Sequence, residues 1–445
     1  MTIEHRVSTK QKQWYLEDIK SVKGNDVLEL TGQKKQTIKG FGGCFNEIGW
    51  EAITHLAEEK QEAFFKELFE ENSCAFTLGR IPIGANDFSL EWYSCDDAAD
   101  DFSLEHFQIN RDKEYTIPYI KRAMKYQKNL SVFASPWSPP IWMKTRKAYN
   151  FGTMKMEEKY LKAYADYYIR FVESYRKEGI SIDQIHVQNE PMADQKFPSC
   201  KWTGEELLVF IRDYLGPKVE AYGKDLELWL GTINGPFVDF QMGGMGAPFG
   251  EFYDQFENTI LSDKKARDYI TGVGFQWGGK HAIAETVLSY PDLRYMQTES
   301  ECGDGENTWE HAEYIYRLMW HYFYNQAESY MYWNLALPEG GISTWGWSQN
   351  SLFTVTANGE LVPQPELYMM KHFSHYVKKG AVLLETKGIW ASNCVVFENP
   401  DKSLVIIVGS NMNKDRIFTF SHEDKSFSAE IKAHSIHTFL IKEEV

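Results

Sequence analysis

Two glutamates stand where a catalytic carboxyl pair is expected. Each follows an apolar, strand-like segment: Glu190 lies just beyond residues 182–188, and Glu299 ends residues 294–299. Cleavage of a glycosidic bond needs a protonated carboxyl group near the leaving oxygen and an ionised carboxylate under the anomeric carbon, about 5–5.5 Å apart for retention. Such proximity, with partial desolvation, raises the pKa of one of the two groups. Either glutamate alone would be interpreted as a strand-end residue paired with Arg or Lys, but together they favour catalysis.

An amide beside the first glutamate supports this interpretation. Asn189 is expected to hydrogen-bond a sugar 2-hydroxyl, a contact that strengthens in the transition state. Pro191 restricts the turn that follows Glu190. The pair therefore predicts a sugar-binding catalytic site.

Eight apolar segments separated by amphipathic helices are expected to position these side chains. Alternation of this kind predicts a parallel sheet, and eight strands close into a (β/α)8 TIM barrel, an α/β fold whose active site lies at the carboxyl ends of the strands. The clearest helical periodicity lies in residues 50–71, 157–178, 204–222, 309–325 and 365–378. The predicted strands are residues 37–44, 74–84, 130–137, 182–188, 227–234, 270–277, 294–299 and 329–335.

The pattern changes to alternation with period two after residue 379. Residues 382–385, 394–398, 404–409, 416–421 and 427–441 are predicted to be antiparallel strands. The opening segment, residues 14–30, has short strand-like runs, and we place it in the same domain; a free N-terminal arm is the alternative. The predicted division is a catalytic barrel at 37–378 and a side β-sandwich built from both termini, 1–36 plus 379–445.

Composition narrows the class of partner. The 445 residues carry a formal net charge of −16, which argues against nucleic acid and against an anionic membrane surface. Aromatic residues make up 15%, which suits either a large core or a sugar-binding cleft. The first residues form no apolar run, and six cysteines lack paired spacing, so a cytoplasmic protein without a membrane partner is expected. The sequence contains no H-E-x-x-H motif, so no zinc site is expected.

Several sequence blocks together resemble family 30 of the glycoside hydrolases, the group that includes glucosylceramidase. The similar blocks are residues 40–47, 80–89, 134–144, 189–191, 333–341 and 371–374. The resemblance implies a retaining β-glycosidase with a (β/α)8 barrel, a side β-sandwich and no metal or cofactor. It implies that Glu190 is the acid/base and Glu299 the nucleophile, and that Arg80 pairs with a carboxylate beneath the site.

The same resemblance implies further sugar-facing side chains, namely Glu47, Asp87, Trp137 and Trp333. Each has a structural alternative. Glu47 would suit the first turn of a helix, where an acid complements the helix dipole. Asp87 would suit a turn or a helix cap, and the two tryptophans would suit the core.

One block departs from the family pattern. Many members end the sixth strand with His-Trp-Tyr, whose Tyr contacts the nucleophile, whereas Gly278 occupies the Tyr position here. What orients Glu299 is therefore open. Gln276 and Trp277 are candidates to compensate and are counted among the substrate-binding residues. The glycines are expected to widen the pocket, and a glycine-rich segment, residues 243–246, is expected at its rim.

The leading hypothesis is an exo-acting retaining β-glycosidase for small soluble glycosides or oligosaccharides, with β-glucosidase preferred. The exo preference rests on the expected cytoplasmic location. β-Xylosidase, β-galactosidase/β-fucosidase and β-1,6-glucanase activities stay open, because loop contacts decide which hydroxyls are recognised. A non-catalytic carbohydrate-binding barrel is the alternative from another class, and it would be expected to lack one of the two carboxylates.

Overall fold

A closed barrel of eight parallel strands forms the larger part of the chain. The computed structural model describes residues 2–19, 22, 24–236, 252–423 and 425–442; the segment 243–246 lies outside the described residues. The barrel closes where β8 pairs with β1, and all eight predicted strands are confirmed. The barrel strands are β1 (Gly40–Cys44), β2 (Leu78–Ile83), β3 (Ser131–Pro136), β4 (Ile182–His186), β5 (Glu227–Ile233), β6 (Ile270–Gln276), β7 (Arg294–Glu299) and β8 (Ala327–Asn334).

Helices cover the outside of the barrel. The helix Glu158–Lys177 shows why they form: one face is buried and apolar, Glu158 lies in the first turn, and Arg176 and Lys177 lie in the last, as the helix dipole favours. The α-helices in the described residues are Glu47–Thr54, Glu58–Phe69, Asn110–Glu114, Thr116–Tyr126, Glu158–Lys177, Gly204–Phe210, Gly216–Tyr222, Glu257–Leu261, Lys264–Tyr269, Ile283–Ser289, Trp309–Tyr324 and Pro365–Ser374. Shorter 3-10 and π elements are Ile141–Met143, Ile211–Leu215, Tyr253–Gln255, Trp277–His281 and Ala391–Asn393.

Two predicted elements were wrong in detail. The helix expected over residues 50–71 is two helices, because the first ends at its C-cap His55 and the second begins at Glu58. The strand expected over residues 427–441 is two strands, which separate at a turn where His434 has a positive φ of 51°.

A nine-stranded sheet contains strands from both ends of the chain. Thr2–Thr9, which the sequence pattern missed, pairs antiparallel with Ser435–Lys442, so the N-terminal segment is part of the sheet and not a free arm. The division of the chain at residues 37 and 378 stays a prediction. In spatial order the strands are Lys425–Ile431, Arg416–His422, Val27–Thr37, Val382–Gly388, Cys394–Glu398, Leu404–Ser410, Ser435–Lys442, Thr2–Thr9 and Tyr15–Leu16.

Large apolar clusters stabilise both parts. One cluster fills the space between the barrel strands and the helices and continues onto one face of the nine-stranded sheet at Val395, Phe397 and Ile407. Another, which includes Val396, Ile406 and Phe439, lies on the other face of that sheet. A small sheet of Ala336–Pro338, Phe353–Val355 and Leu361–Pro363 follows β8. Among the described residues, no helix combines the length and apolarity needed to cross a membrane.

Candidate active site

The two predicted carboxyl groups meet at the carboxyl-terminal end of the barrel. Glu299 is the last residue of β7, and Glu190 follows β4 by four residues. Both side chains are buried, with 6% and 9% of each residue exposed. They lie close enough for the charge of Glu299 to raise the pKa of Glu190. This end of a parallel barrel is where active sites of such folds are built.

Glu299 is paired with a cation from a different strand. Arg80 on β2 donates from Nη1 to Oε2 of Glu299 across 2.5 Å. Burial raises the pKa of Glu299, whereas the charge and hydrogen bond of Arg80 lower it. Arg80 therefore favours the ionised form of Glu299, and it orients this carboxylate where the family Tyr is absent.

Glu190 lies in a different electrostatic environment. Burial raises its pKa most, and the charges of Glu299 and Asp87 raise it further. Its Oε1 accepts a hydrogen bond of 3.0 Å from Nδ2 of Asn234, which follows β5. Because no cation among the described residues contacts this carboxyl group directly, a proton shared by the pair favours Glu190 over Glu299.

Arg80 also organises the residues between the two glutamates. Its Nη2 donates to Oδ1 of Asn189 at 2.6 Å and to the hydroxyl oxygen of Thr232 at 3.1 Å. Gln276 donates to the same Asn189 oxygen at 2.7 Å. Since Oδ1 faces these donors, the amide NH2 of Asn189 is directed away from them, and no acceptor for it is found among the described residues.

Asp87 is a third buried carboxyl group at this end of the barrel. Its Oδ1 has no hydrogen-bond partner in the described part of the chain. Burial, followed by the charge of Glu299, raises its pKa to about 8. The raised pKa favours the protonated form of this carboxyl group, and a protonated carboxyl group can donate a hydrogen bond.

Trp137 and Trp333 form an aromatic wall against Arg80. Their ring centroids are 5.5 Å apart, and the guanidinium carbon of Arg80 lies 4.6 Å from the Trp137 ring and 5.2 Å from the Trp333 ring. Both rings belong to an apolar cluster that also contains Phe88 and Cys302. The two rings therefore pack against the guanidinium group of Arg80, which hydrogen-bonds Glu299.

The structure places two other predicted residues differently. Glu47 begins the helix Glu47–Thr54, and both its carboxylate oxygens accept bonds, from the Arg111 guanidinium and from the backbone N–H of Leu90. These partners favour a role in holding the loop before Arg111. Trp277 is half-buried with the ammonium of Lys280 5.3 Å from its ring centroid, and within the described ranges no ring contact or hydrogen bond joins it to either glutamate.

Sequence reasoning missed Asn234, Thr232 and the role of Gly278. Asn234 accepts a 2.7 Å hydrogen bond from the backbone N–H of Gly278, and a Cβ at Gly278 would lie 2.3 Å from Asn234 Oδ1. The expected widening of the pocket is therefore wrong at this position, because Asn234 occupies the space. Their position in the sequence could have identified two of these residues, because Thr232 and Asn234 are polar residues at the end of an apolar strand.

No group of three or more His, Cys, Asp or Glu side chains suited to a metal ion occurs among the residues that the structure describes. The six cysteines are buried and unpaired.

A closed (β/α)8 barrel with a buried carboxyl pair, one after its fourth strand and one at the end of its seventh, defines a class of barrel enzymes that act on glycosidic bonds. Residues 38–377 match the glycosyl hydrolase family 30 TIM-barrel domain, and residues 380–439 match the family 30 beta sandwich domain. The chain belongs to glycosyl hydrolase family 30 and is a glycosidase.

Relatives and solved structures agree with this membership. The lysosomal acid glucosylceramidase of Mus musculus is 27% identical over 448 residues, which cover 93% of this chain and 83% of that protein. An endo-1,6-beta-D-glucanase of Neurospora crassa is 25% identical over 385 residues, covering 80% and 74%. The crystal structure of SrfJ from Salmonella typhimurium shares the fold, with a TM-score of 0.87, 24% identity and full coverage of both chains.

Proposed function

We propose that the protein is a retaining β-glycosidase that works by double displacement, with Glu299 as nucleophile and Glu190 as acid/base. The observation that carries the proposal is the unequal environment of two interacting buried carboxyl groups. Arg80 contacts Glu299 directly, whereas Glu190 faces carboxyl groups and an amide. One ionised and one protonated carboxyl group are what the first step of retention requires.

In the first step the Glu299 carboxylate attacks the anomeric carbon while Glu190 donates its proton to the leaving oxygen. A covalent glycosyl ester forms on Glu299, and the aglycone leaves as a neutral alcohol. The negative charge on Glu299 is then lost, which lowers the pKa of Glu190 and suits it to act as a base. In the second step Glu190 takes a proton from water, and that water displaces the sugar from Glu299.

The surrounding polar groups would bind the sugar in this site. Asn189 presents its NH2 group, and we assign it to the 2-hydroxyl. Asp87, with its unpartnered Oδ1, is assigned to another hydroxyl of the same ring. Trp137 and Trp333 are assigned to the wall of the sugar site, Gln276 to holding Asn189, and Glu47 and Trp277 to supporting positions outside it. No step is assigned to a metal or cofactor.

For the substrate we propose a small soluble β-glucoside cleaved from its non-reducing end. The mouse and Neurospora relatives are both named for glucosyl substrates, which supports glucose over xylose or galactose. Endo-β-1,6-glucanase activity is the second candidate, because the Neurospora relative is named for it. The cytoplasmic location behind the exo preference also stays a prediction.

Substrate and stereochemistry can be tested together. We expect the β-glucoside to be cleaved fastest in a panel of nitrophenyl β-glucoside, β-xyloside, β-galactoside and β-fucoside. Proton NMR of the early product should show the β-anomer, as retention requires, whereas an α-anomer would refute double displacement. Incubation with β-1,6-glucan should release glucose; longer products from the first minutes would support the endo-glucanase instead. Sugar binding without turnover of any substrate would favour the non-catalytic barrel.

Two variants test the assigned roles. Glu299→Gln should lower kcat at least about a thousandfold without unfolding the protein. Glu190→Ala should retain the first step on dinitrophenyl glycosides, which need little acid assistance, and azide should restore turnover because it needs no base. Glu301→Gln is the matched control, since Glu301 accepts from the Tyr314 hydroxyl nearby. If Glu299→Gln kept the activity of the control, the nucleophile assignment would be wrong.

A further inference from the structure

Asn234 lies between the carboxyl group of Glu190 and the backbone of the turn that follows β6. Its Oδ1 accepts from the N–H of Gly278 at 2.7 Å, and its Nδ2 donates to Glu190 Oε1 at 3.0 Å. Asn234 is 1% exposed, and it follows β5, whereas Gly278 follows β6 and Glu190 follows β4. Three barrel segments therefore meet at one amide.

The backbone N–H of Gly278 determines which way the amide points. A peptide N–H can only donate, so the side-chain oxygen of Asn234 must face Gly278 and the NH2 group must face Glu190. The NH2 group in turn can only donate, so Glu190 Oε1 must accept. A proton on Glu190 is thus directed to its other oxygen, Oε2, for which the described residues provide no partner.

Gly278 is required for this arrangement because of its size. A Cβ there would lie 2.3 Å from Oδ1 and 3.2 Å from Cγ of Asn234, so any larger residue would displace the amide. Asn234 and Gly278 thus act as a unit, which we name the Asn234–Gly278 clamp.

We propose that this clamp is a positioning device for the acid/base: it directs the proton of Glu190 to Oε2, facing the leaving group, and stabilises the carboxylate once that proton has gone. The proposal deepens the function proposed above and rests on it. Asn234 acts through Glu190 and is a positioning residue.

Other titratable groups near Glu190 also affect its pKa, and the test has to account for them. Glu299 and Asp87 raise its pKa, Arg80 lowers it, and the thiol of Cys302 also lies within electrostatic range. The hydrogen bond from Asn234 lowers the pKa of Glu190, in opposition to burial. Loss of this bond should therefore raise the pKa, and the alkaline limb of kcat/KM, which reports the protonated acid, should move to higher pH.

The test compares Asn234→Ala, Asn234→Asp and Gly278→Ala with the control Lys280→Ala. Lys280 lies in the same turn but contacts Tyr314 and Trp277. We expect the alkaline limb to rise by about one pH unit in Asn234→Ala and in Gly278→Ala, and further in the nearly isosteric Asn234→Asp, which keeps the volume but loses the donor. The control should keep the wild-type limb.

Two further readouts separate proton placement from general damage to the fold. Alkyl glycosides, which need acid assistance, should lose about tenfold or more in kcat/KM in Asn234→Ala, whereas dinitrophenyl glycosides should lose less than about twofold. The double variant Asn234→Ala/Gly278→Ala should shift the limb no more than Asn234→Ala alone. Equal losses on both substrates, additive shifts or an unmoved limb would overturn the clamp.

Failure of the clamp and failure of the proposed function are distinguishable. If the wild-type enzyme cleaved no glycoside, the function would fall, and the ionisation of Glu190 could still be followed by carbon-13 NMR of enzyme labelled at glutamate carboxyl carbons. Glu190→Gln would assign the signal. A higher pKa in Asn234→Ala than in wild type would support the clamp, and an equal or lower pKa would refute it.

Discussion

Arg80 is a buried cation that faces three buried carboxyl groups, Asp87, Glu190 and Glu299. Its direct hydrogen bond goes to Glu299 alone of the three, so its position selects which group ionises most readily. The planar guanidinium also donates hydrogen bonds to Ser135, Asn189 and Thr232, which lie on or just after three other strands. A Lys ammonium cannot match this number of hydrogen bonds or their directions. At this scale, the division of roles between two chemically identical glutamates depends on one guanidinium group.

Arg80→Lys should therefore impair both catalysis and stability. Weaker contact raises the pKa of Glu299, and because the nucleophile must be ionised, the acidic limb of kcat/KM should move to higher pH by about one unit. Acceptors left without donors should cost about 2–4 kcal/mol of the free energy of unfolding. A pH–rate profile and urea unfolding would measure the two effects. Arg294→Lys, which alters an Arg paired with Glu227 and Glu328, is the control and should leave the limb in place.

The barrel strands position these residues through close backbone approach. β1 contains Gly42 and Gly43, and Gly42 lies opposite Leu78 of β2. A Cβ on Gly42 would lie 1.9 Å from the Leu78 carbonyl oxygen, and one on Gly79 would lie 2.4 Å from the ring of Phe45. Because β2 carries Arg80 directly after Gly79, the spacing between β1 and β2 affects where the cation lies.

Gly42→Ala should thus be one of the most damaging small substitutions in the barrel. The clash involves backbone, which cannot move aside as a side chain can, so we expect a loss of about 3 kcal/mol or more in the free energy of unfolding. Gly359→Ala is the matched control: Gly359 has a φ of +72° but open space around it, and it should lose only about 1 kcal/mol. Equal midpoints of denaturation would contradict this account of the barrel spacing.

The barrel and the nine-stranded sheet are joined by a buried histidine network. His372, on the helix Pro365–Ser374, hydrogen-bonds the hydroxyl oxygens of Ser8 and Thr438 at 2.9 and 2.8 Å, and His5 and His437 contact each other at 2.8 Å. Burial lowers the pKa of all three histidines, that of His5 to about 4. The junction therefore requires neutral imidazoles.

Acid should weaken this junction. Below the unfolded pKa of about 6.5, the unfolded chain binds protons that the buried histidines reject, so their contribution to stability falls as the pH drops from 7 to 5, by about 2 kcal/mol per histidine. Buried carboxyl groups with raised pKa values, such as Asp87, act in the opposite direction. The measurement is therefore a difference between two proteins. Between pH 7 and pH 5, the unfolding free energy of His372→Gln should fall by about 2 kcal/mol less than that of wild type, because Gln cannot bind the proton. His55→Gln, at an exposed site, should behave as wild type.

Local sequence determined much of this protein: the eight barrel strands and the placement of Glu190 and Glu299 at strand ends follow from apolar runs that finish in polar residues, a pattern contained within a few residues. The pairing of Arg80 with Glu299, the amide of Asn234 against Gly278, and the capture of Glu47 by Arg111 were decided by tertiary structure. These partners are separated by tens to hundreds of residues. The first two pairs meet because the stagger of paired barrel strands sets which side chains share a level of the barrel, and that stagger arises only when the sheet closes. Glu47 and Arg111 meet where the helices Glu47–Thr54 and Asn110–Glu114 approach each other in the folded chain.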